Sequence, residues 1–126
     1  LFKVNAAAPA AINRVCADYL EASPGASVIV VGETHGHAPV AYWGGFSVSK
    51  AALEAYFKIQ ADEWTDTPMR INLVIPGPIN SPQRARTHPG EAKDSLPQID
   101  DLIPRLLYLM GPDSAAVRGQ TFEGCA

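Results

Sequence analysis

Several things are scarce in this chain of 126 residues, and each scarcity removes a class of protein. No apolar run approaches the ~20 residues that a helix needs to cross a bilayer, so no membrane span is expected. Lys and Arg form no cluster and the net charge is −3. The electrostatic footprint of a nucleic-acid binder is therefore missing. Only two cysteines occur, Cys16 and Cys125, far apart in the chain. They make no disulfide framework and read as free thiols of a reducing, cytoplasmic compartment. There is no G-x-G-x-x-G, the glycine pattern that cradles a dinucleotide, and no repeat or low-complexity tract. No N-terminal signal pattern is visible. The chain opens on Leu1 rather than Met. "LFKVNAAAPAAINRVCADYL" reads as the middle of something, either part of a longer protein or a chain that has lost an upstream segment.

What is present is ordinary for a globular protein: 47% hydrophobic and 18% charged residues, enough for one domain with a real core. Residues 3–22 are rich in Ala and predict a helix with Pro9 in or just before an early turn. "ASPG" stops it. "ASVIVVG" (26–32) is a short β-branched run of the kind buried on both faces in a parallel sheet. A polar loop, "ETHGHAPVAYWGG", leads to a helix over 45–64 that is apolar on more than one side. "RINLVIPG" (70–77) is a second buried strand ended by Pro-Gly. Residues 78–97 hold four prolines and read as one long irregular segment. A helix is expected over 98–111, with Pro104 inside it at a local kink and Gly111 at its C-cap. A last strand is expected at 120–123. The alternation predicts an α/β domain with a parallel sheet. Three strands are few, so the simplest reading is one incomplete layer of a larger sheet.

"AYWGGFSVSK" (41–50) poses the functional question. A lysine one turn into a long helix, with a phenol one turn before it, would read as proton-transfer chemistry. The residue one turn before Lys50 is Phe46. Four stretches in order, "VNAAAP", "SVIVVG", "GGFSVSKAALEAY" and "RINLVIPGPINS", resemble the C-terminal half of the short-chain dehydrogenase/reductase family. The resemblance covers nearly the whole chain. It implies a Rossmann-type doubly wound sheet of which this chain carries about three strands with flanking helices. It also implies that residues 1–126 are a single incomplete domain without the dinucleotide-binding half, and an NAD- or NADP-dependent oxidoreductase by descent.

By the same resemblance, Asn5 and Lys50 occupy two of the four catalytic positions of the family. The other two are substituted: the serine position falls on Glu33 and the tyrosine position on Phe46. The cofactor would be touched by Lys50 and by Pro76, Gly77, Ile79 and Ser81 of the loop after the second strand, with Asn72 in the strand motif. General acid–base chemistry needs an ionisable group at hydrogen-bond distance, and phenylalanine has none. Little or no activity, and no cofactor binding by this chain alone, are the expectations. Tyr42, one turn further back, is the candidate substitute for the missing phenol. Lys50 also reads as an exposed helix-surface lysine, and Asn5 as a helix-internal polar residue bonded to nearby backbone.

Glu33, His35 and His37 read as a solvated polar loop, with no metal expected. A divalent-metal site and a Glu33–Lys50 ion pair are the alternatives. Two rival functions remain open: a non-catalytic assembly protein, and one half of an enzyme completed by a second chain. The resemblance implies a homo-oligomer through helices 3–22 and 45–64. Tyr56, Phe57 and Trp64 are expected to form the exposed apolar patch that drives it.

Overall fold

The computed structural model describes residues 1–125. Three strands, β1 (Ser27–Val31), β2 (Arg70–Ile75) and β3 (Thr121–Glu123), form one sheet in the order β1-β2-β3. Both pairings are parallel: Val28 lies opposite Ile71, and Val74 opposite Phe122. Five α-helical segments surround it: α1 (Ala8–Ala22), α2 (Thr34–His37), α3 (Gly44–Glu63), α4 (Pro82–Thr87) and α5 (Ile103–Met110). The α/β class, the three strands and their parallel direction agree with the sequence reading. Among the described residues, one edge of β1 carries no neighbouring strand.

β2 is central and all six of its residues are buried. Its side chains alternate between two layers, as strand geometry requires. Ile71, Leu73 and Ile75 join Leu53, Phe57 and Trp64 in the core beneath α3. Arg70 and Asn72 turn to the segment after α5. There the Asn72 amide donates to the Val117 carbonyl (2.9 Å) and accepts from the Gln120 N–H (3.0 Å). That pair of bonds delivers the chain into β3.

Several local expectations need correction. Helix 3–22 begins as a π-helical turn at Lys3–Ala7. Pro9 has no N–H to return to the Asn5 carbonyl, and the ladder there widens to a five-residue spacing, with Ala8 N–H donating to Lys3 O. The polar loop after β1 contains the one-turn α2, and the segment 78–97 contains α4. Each is started by a side chain that accepts a hydrogen bond at the helix N-terminus. Glu33 accepts from His35 N–H, and Ser81 accepts from Arg84 N–H with Pro82 in the first turn. Pro104 kinks nothing: it lies in the first turn of α5, where a missing N–H costs no bond. The patch expected of Tyr56, Phe57 and Trp64 does not exist. Phe57 and Trp64 are buried against the sheet, and the half-buried Tyr56 hydroxyl bonds Asn13 of α1 and Gln60. Burial raises the Tyr56 pKa, and the Asn13 bond opposes that rise.

Cys16 and Cys125 are free thiols. Among the described residues, no helix is long and apolar enough to cross a membrane.

His37 closes the far end of α2 and bridges two carboxylates. Its Nδ1 lies 3.0 Å from Glu54 of α3, and its Nε2 lies 3.0 Å from Glu123 of β3. Both nitrogens must then donate, which favours the imidazolium. The hydrogen bond and charge of Glu54 raise the His37 pKa above its ordinary 6.5, burial opposes, and Glu123 adds to the rise. A raised folded-state pKa stabilises below the unfolded value and ceases to do so as pH rises through the folded value. The protein should therefore lose urea resistance as pH rises from the ordinary imidazole value of about 6.5 through the raised folded-state value. His37→Asn should flatten that slope. Equal slopes in both proteins would remove the assignment.

Candidate active site

The positions singled out in the sequence converge only in part. They line two separate cavities. The first, about 330 Å³, lies beside β1 and includes Asn5, Asn13, Val30 and Lys50. Asn5 is not bonded to local backbone. Its amide donates to the Ser49 hydroxyl of α3 (3.0 Å), which donates to the Phe46 carbonyl (2.8 Å). Lys50 is half-buried rather than a free surface residue. A Cβ at Gly36 would lie 2.5 Å from Lys50 Cβ, so only glycine lets α2 approach α3 this closely.

The second cavity, about 390 Å³, is lined by Glu33, His35, Trp43, Phe46, Gly77, Ile79 and Ser81 among others. Phe46 brings only an apolar edge to it, tilted at 48° to the Trp43 ring with centroids 5.8 Å apart. Glu33 makes no ion pair with Lys50. Its carboxylate caps α2 instead, with Oε2 accepting from His35 N–H (2.6 Å) and Oε1 from the His35 ring Nδ1–H (2.9 Å). His35 and His37 diverge to different carboxylates, and among the described residues no group of three His, Cys, Asp or Glu side chains could hold a metal. Tyr42 is fully exposed with a left-handed backbone (φ 73°), outside both cavities, and cannot stand in for a phenol at position 46.

Residues without a motif complete the second cavity. The Trp43 ring stacks on His35 with centroids 3.6 Å apart, and faces His88 at 6.4 Å on a shallow 21° angle. Arg84 holds Glu91 through two bonds, 2.6 and 2.8 Å, which pin α4 to the following loop. That pairing raises the Arg84 pKa, with smaller contributions from the charges of Glu91 and Glu33, and lowers that of Glu91. Nothing in the sequence spacing joins residue 43 to residue 88. The start of α4 at Ser81-Pro82 lies inside the segment read as irregular.

Whether these residues suit a dinucleotide can be tested on their own chemistry. Gly77 has φ +76° and open space where a Cβ would stand, so the loop after β2 can approach a flat ring closely. Gly77 and Ile79 of the second cavity fit the nicotinamide end, whereas Lys50 lines the first cavity. Pro76 turns its carbonyl to the Cys125 thiol, and the Ser81 hydroxyl is committed to the start of α4. A pyrophosphate rests on a helix N-terminus opened by a glycine-rich turn, and no G-x-G-x-x-G occurs in these 126 residues. The fit stops at the nicotinamide.

A parallel sheet with helices on both faces, a lysine-bearing long helix and a Pro-Gly loop define a Rossmann-type α/β class. The family model described as enoyl-(acyl carrier protein) reductase matches residues 1–123, and the chain belongs to the short-chain dehydrogenase/reductase family. The uncharacterized oxidoreductase YciK of Escherichia coli K12 is 30% identical over 98% of this chain and 48% of its own length. A short chain dehydrogenase structure from Salmonella enterica serovar Typhi superposes with a TM-score of 0.92 at 30% identity, over 97% of this chain and 50% of the other. Another from Escherichia coli CFT073, in complex with NADPH, gives 0.91 at 30% identity, over 97% and 50%. The chain spans about half the length of the curated relatives it matches.

Proposed function

We propose that this chain is the substrate-side portion of an NADP-linked oxidoreductase, and that these 126 residues alone transfer no hydride. Relatives bound to NADPH and NADP support the cofactor class. The observation that carries the second clause is Phe46 at the position where the resemblance puts the phenol, in a different cavity from Lys50 and Asn5. The unpaired edge of β1 is where a further strand would add, from another segment or another chain. The test is oxidation of NADPH and of NADH with a broad panel of aldehydes and ketones. No turnover is expected, and Phe46→Tyr alone should not create it. Robust hydride transfer by the purified chain would overturn the proposal.

A second reading, assembly into a homo-oligomer, is favoured by one pattern. Ile12, Val15 and Tyr19 form an exposed stripe on α1, and Val48 and Ile59 lie exposed on α3. The spacing is that of single helix faces, and such faces suit a two-fold contact. Sedimentation equilibrium at micromolar concentration should give a dimer, with Val15→Glu and Ile59→Glu shifting it to monomer. A wild-type species of 13.4 kDa would refute assembly.

A further inference from the structure

In the second cavity Glu33, at the family's serine position, holds a side chain that lies outside the family's four positions. Capping α2 needs one carboxylate oxygen, yet Glu33 uses both, one on the backbone of His35 and one on its ring. A carboxylate only accepts, so the ring must donate from Nδ1, and the lone pair of neutral His35 is placed on Nε2. Among the described residues, Nε2 makes no hydrogen bond. The ring is 18% exposed, stacks on Trp43, and its own carbonyl accepts from the Ser47 hydroxyl. Side chain and backbone are thus held at three points beside Phe46. The other imidazoles differ. His37 spends both nitrogens on Glu54 and Glu123, and His88 Nδ1 meets the Thr87 hydroxyl. An oriented imidazole with one free nitrogen, fixed by a carboxylate on the other, is the general arrangement of a positioned acid–base group.

We propose that His35 is the proton-exchanging group of this cavity, positioned by Glu33, and that it serves the oxygen of a small carbonyl compound or of the corresponding alcohol. The substrate class rests on the oxidoreductase reading above; the role of His35 rests on its geometry. Nε2 takes the proton of the ligand hydroxyl in one direction and returns it to the oxygen in the other. Nδ1–H stays on the ring, and Glu33 balances the imidazolium without taking a proton. The hydride that completes a carbonyl reduction comes from a reduced nicotinamide, and is no part of what His35 supplies.

The full chain, labelled with nitrogen-15 and free of nucleotide, is the sample. At about pH 8, above the ordinary imidazole range, two-bond proton–nitrogen spectra should show His35 as the Nδ1–H tautomer. Glu33→Ser keeps a good helix cap but cannot reach the ring in the same way, and should return His35 to the Nε2–H tautomer that prevails in water. Benzaldehyde and benzyl alcohol are the probes. Each should shift His35 Nε2 saturably and leave the His37 nitrogens still. Glu33→Ser should weaken that response about tenfold, the loss expected of one charge-assisted hydrogen bond. An Nε2–H tautomer in the unmodified chain would overturn the proposal. So would an Nε2 that responds no more than His37 at the solubility limit of both probes. The hydride-transfer assay fails or succeeds independently, so the two readings can fall separately.

Discussion

Arg70→Met should cost about 2–3 kcal/mol of folding stability. Arg70 is 3% exposed and, among the described residues, has no carboxylate partner. Its guanidinium is surrounded by carbonyls instead: Nη1 donates to Gly25 O (3.1 Å), and Nη2 to Gly111 O (2.9 Å) and Leu109 O (3.4 Å), with Ser114 Oγ nearby at 3.4 Å. Leu109 and Gly111 end α5, where unpaired carbonyls and the negative end of the helix dipole favour a cation. One side chain thus ties the turn before β1 and the end of α5 to the first residue of β2. Methionine fills similar space but removes the charge-assisted bonds, each worth about 1 kcal/mol here, because Leu109 O keeps the Ser27 and Ser114 hydroxyls and Gly111 O keeps that of Ser114. The urea midpoint should fall by roughly 2 M at the slopes usual for small domains. A midpoint within error of the parent would mean that water or rearranged backbone satisfies the carbonyls.

Gly36→Ala should be the next most damaging change, at about 2 kcal/mol net. Alanine in place of glycine in a helix usually stabilises by up to about 1 kcal/mol. Here the new Cβ would meet Lys50 Cβ at 2.5 Å and the Lys50 carbonyl carbon at 2.8 Å. The second contact is backbone, which cannot rotate away, so α2 must lift from α3 at an overpacking cost of about 1–3 kcal/mol or more. Lifting α2 also separates His37 from Glu54 and His35 from the Ser47 hydroxyl. The loss should therefore appear in the near-ultraviolet signal of Trp43 as well as in the unfolding midpoint. Gly25→Ala is the control, since nothing lies within 4 Å of its would-be Cβ. It should be neutral to within about 0.5 kcal/mol. Equal effects at the two glycines would contradict the packing described.

The sheet was legible because both long strands are continuous β-branched or apolar runs bounded by Gly and Pro, which leaves few alternatives. The helices flanking them were legible for the same reason. What failed was local. The π turn at Lys3–Ala7 follows from Pro9, but a proline in a first turn is usually silent. α2 and α4 are single short turns whose existence depends on one capping side chain each. The patch assigned to Tyr56, Phe57 and Trp64 was misplaced because a helix apolar on several sides does not reveal which side meets the sheet. The site was harder still. Glu33 and Phe46 were legible as departures from a pattern, but the ring contact between Glu33 and His35 depends on side-chain torsions. The stacking of Trp43 between His35 and His88 depends on a loop returning over 45 residues. Neither leaves a spacing to read.

The central claim is that these residues make only the nicotinamide end of a cofactor site. A calorimetric titration of the purified chain with NADPH tests it most directly. Saturation should not be reached below about millimolar concentration, the affinity of a partial contact worth roughly 4 kcal/mol. A dissociation constant in the low micromolar range would show that the chain holds the whole dinucleotide, and would contradict the account.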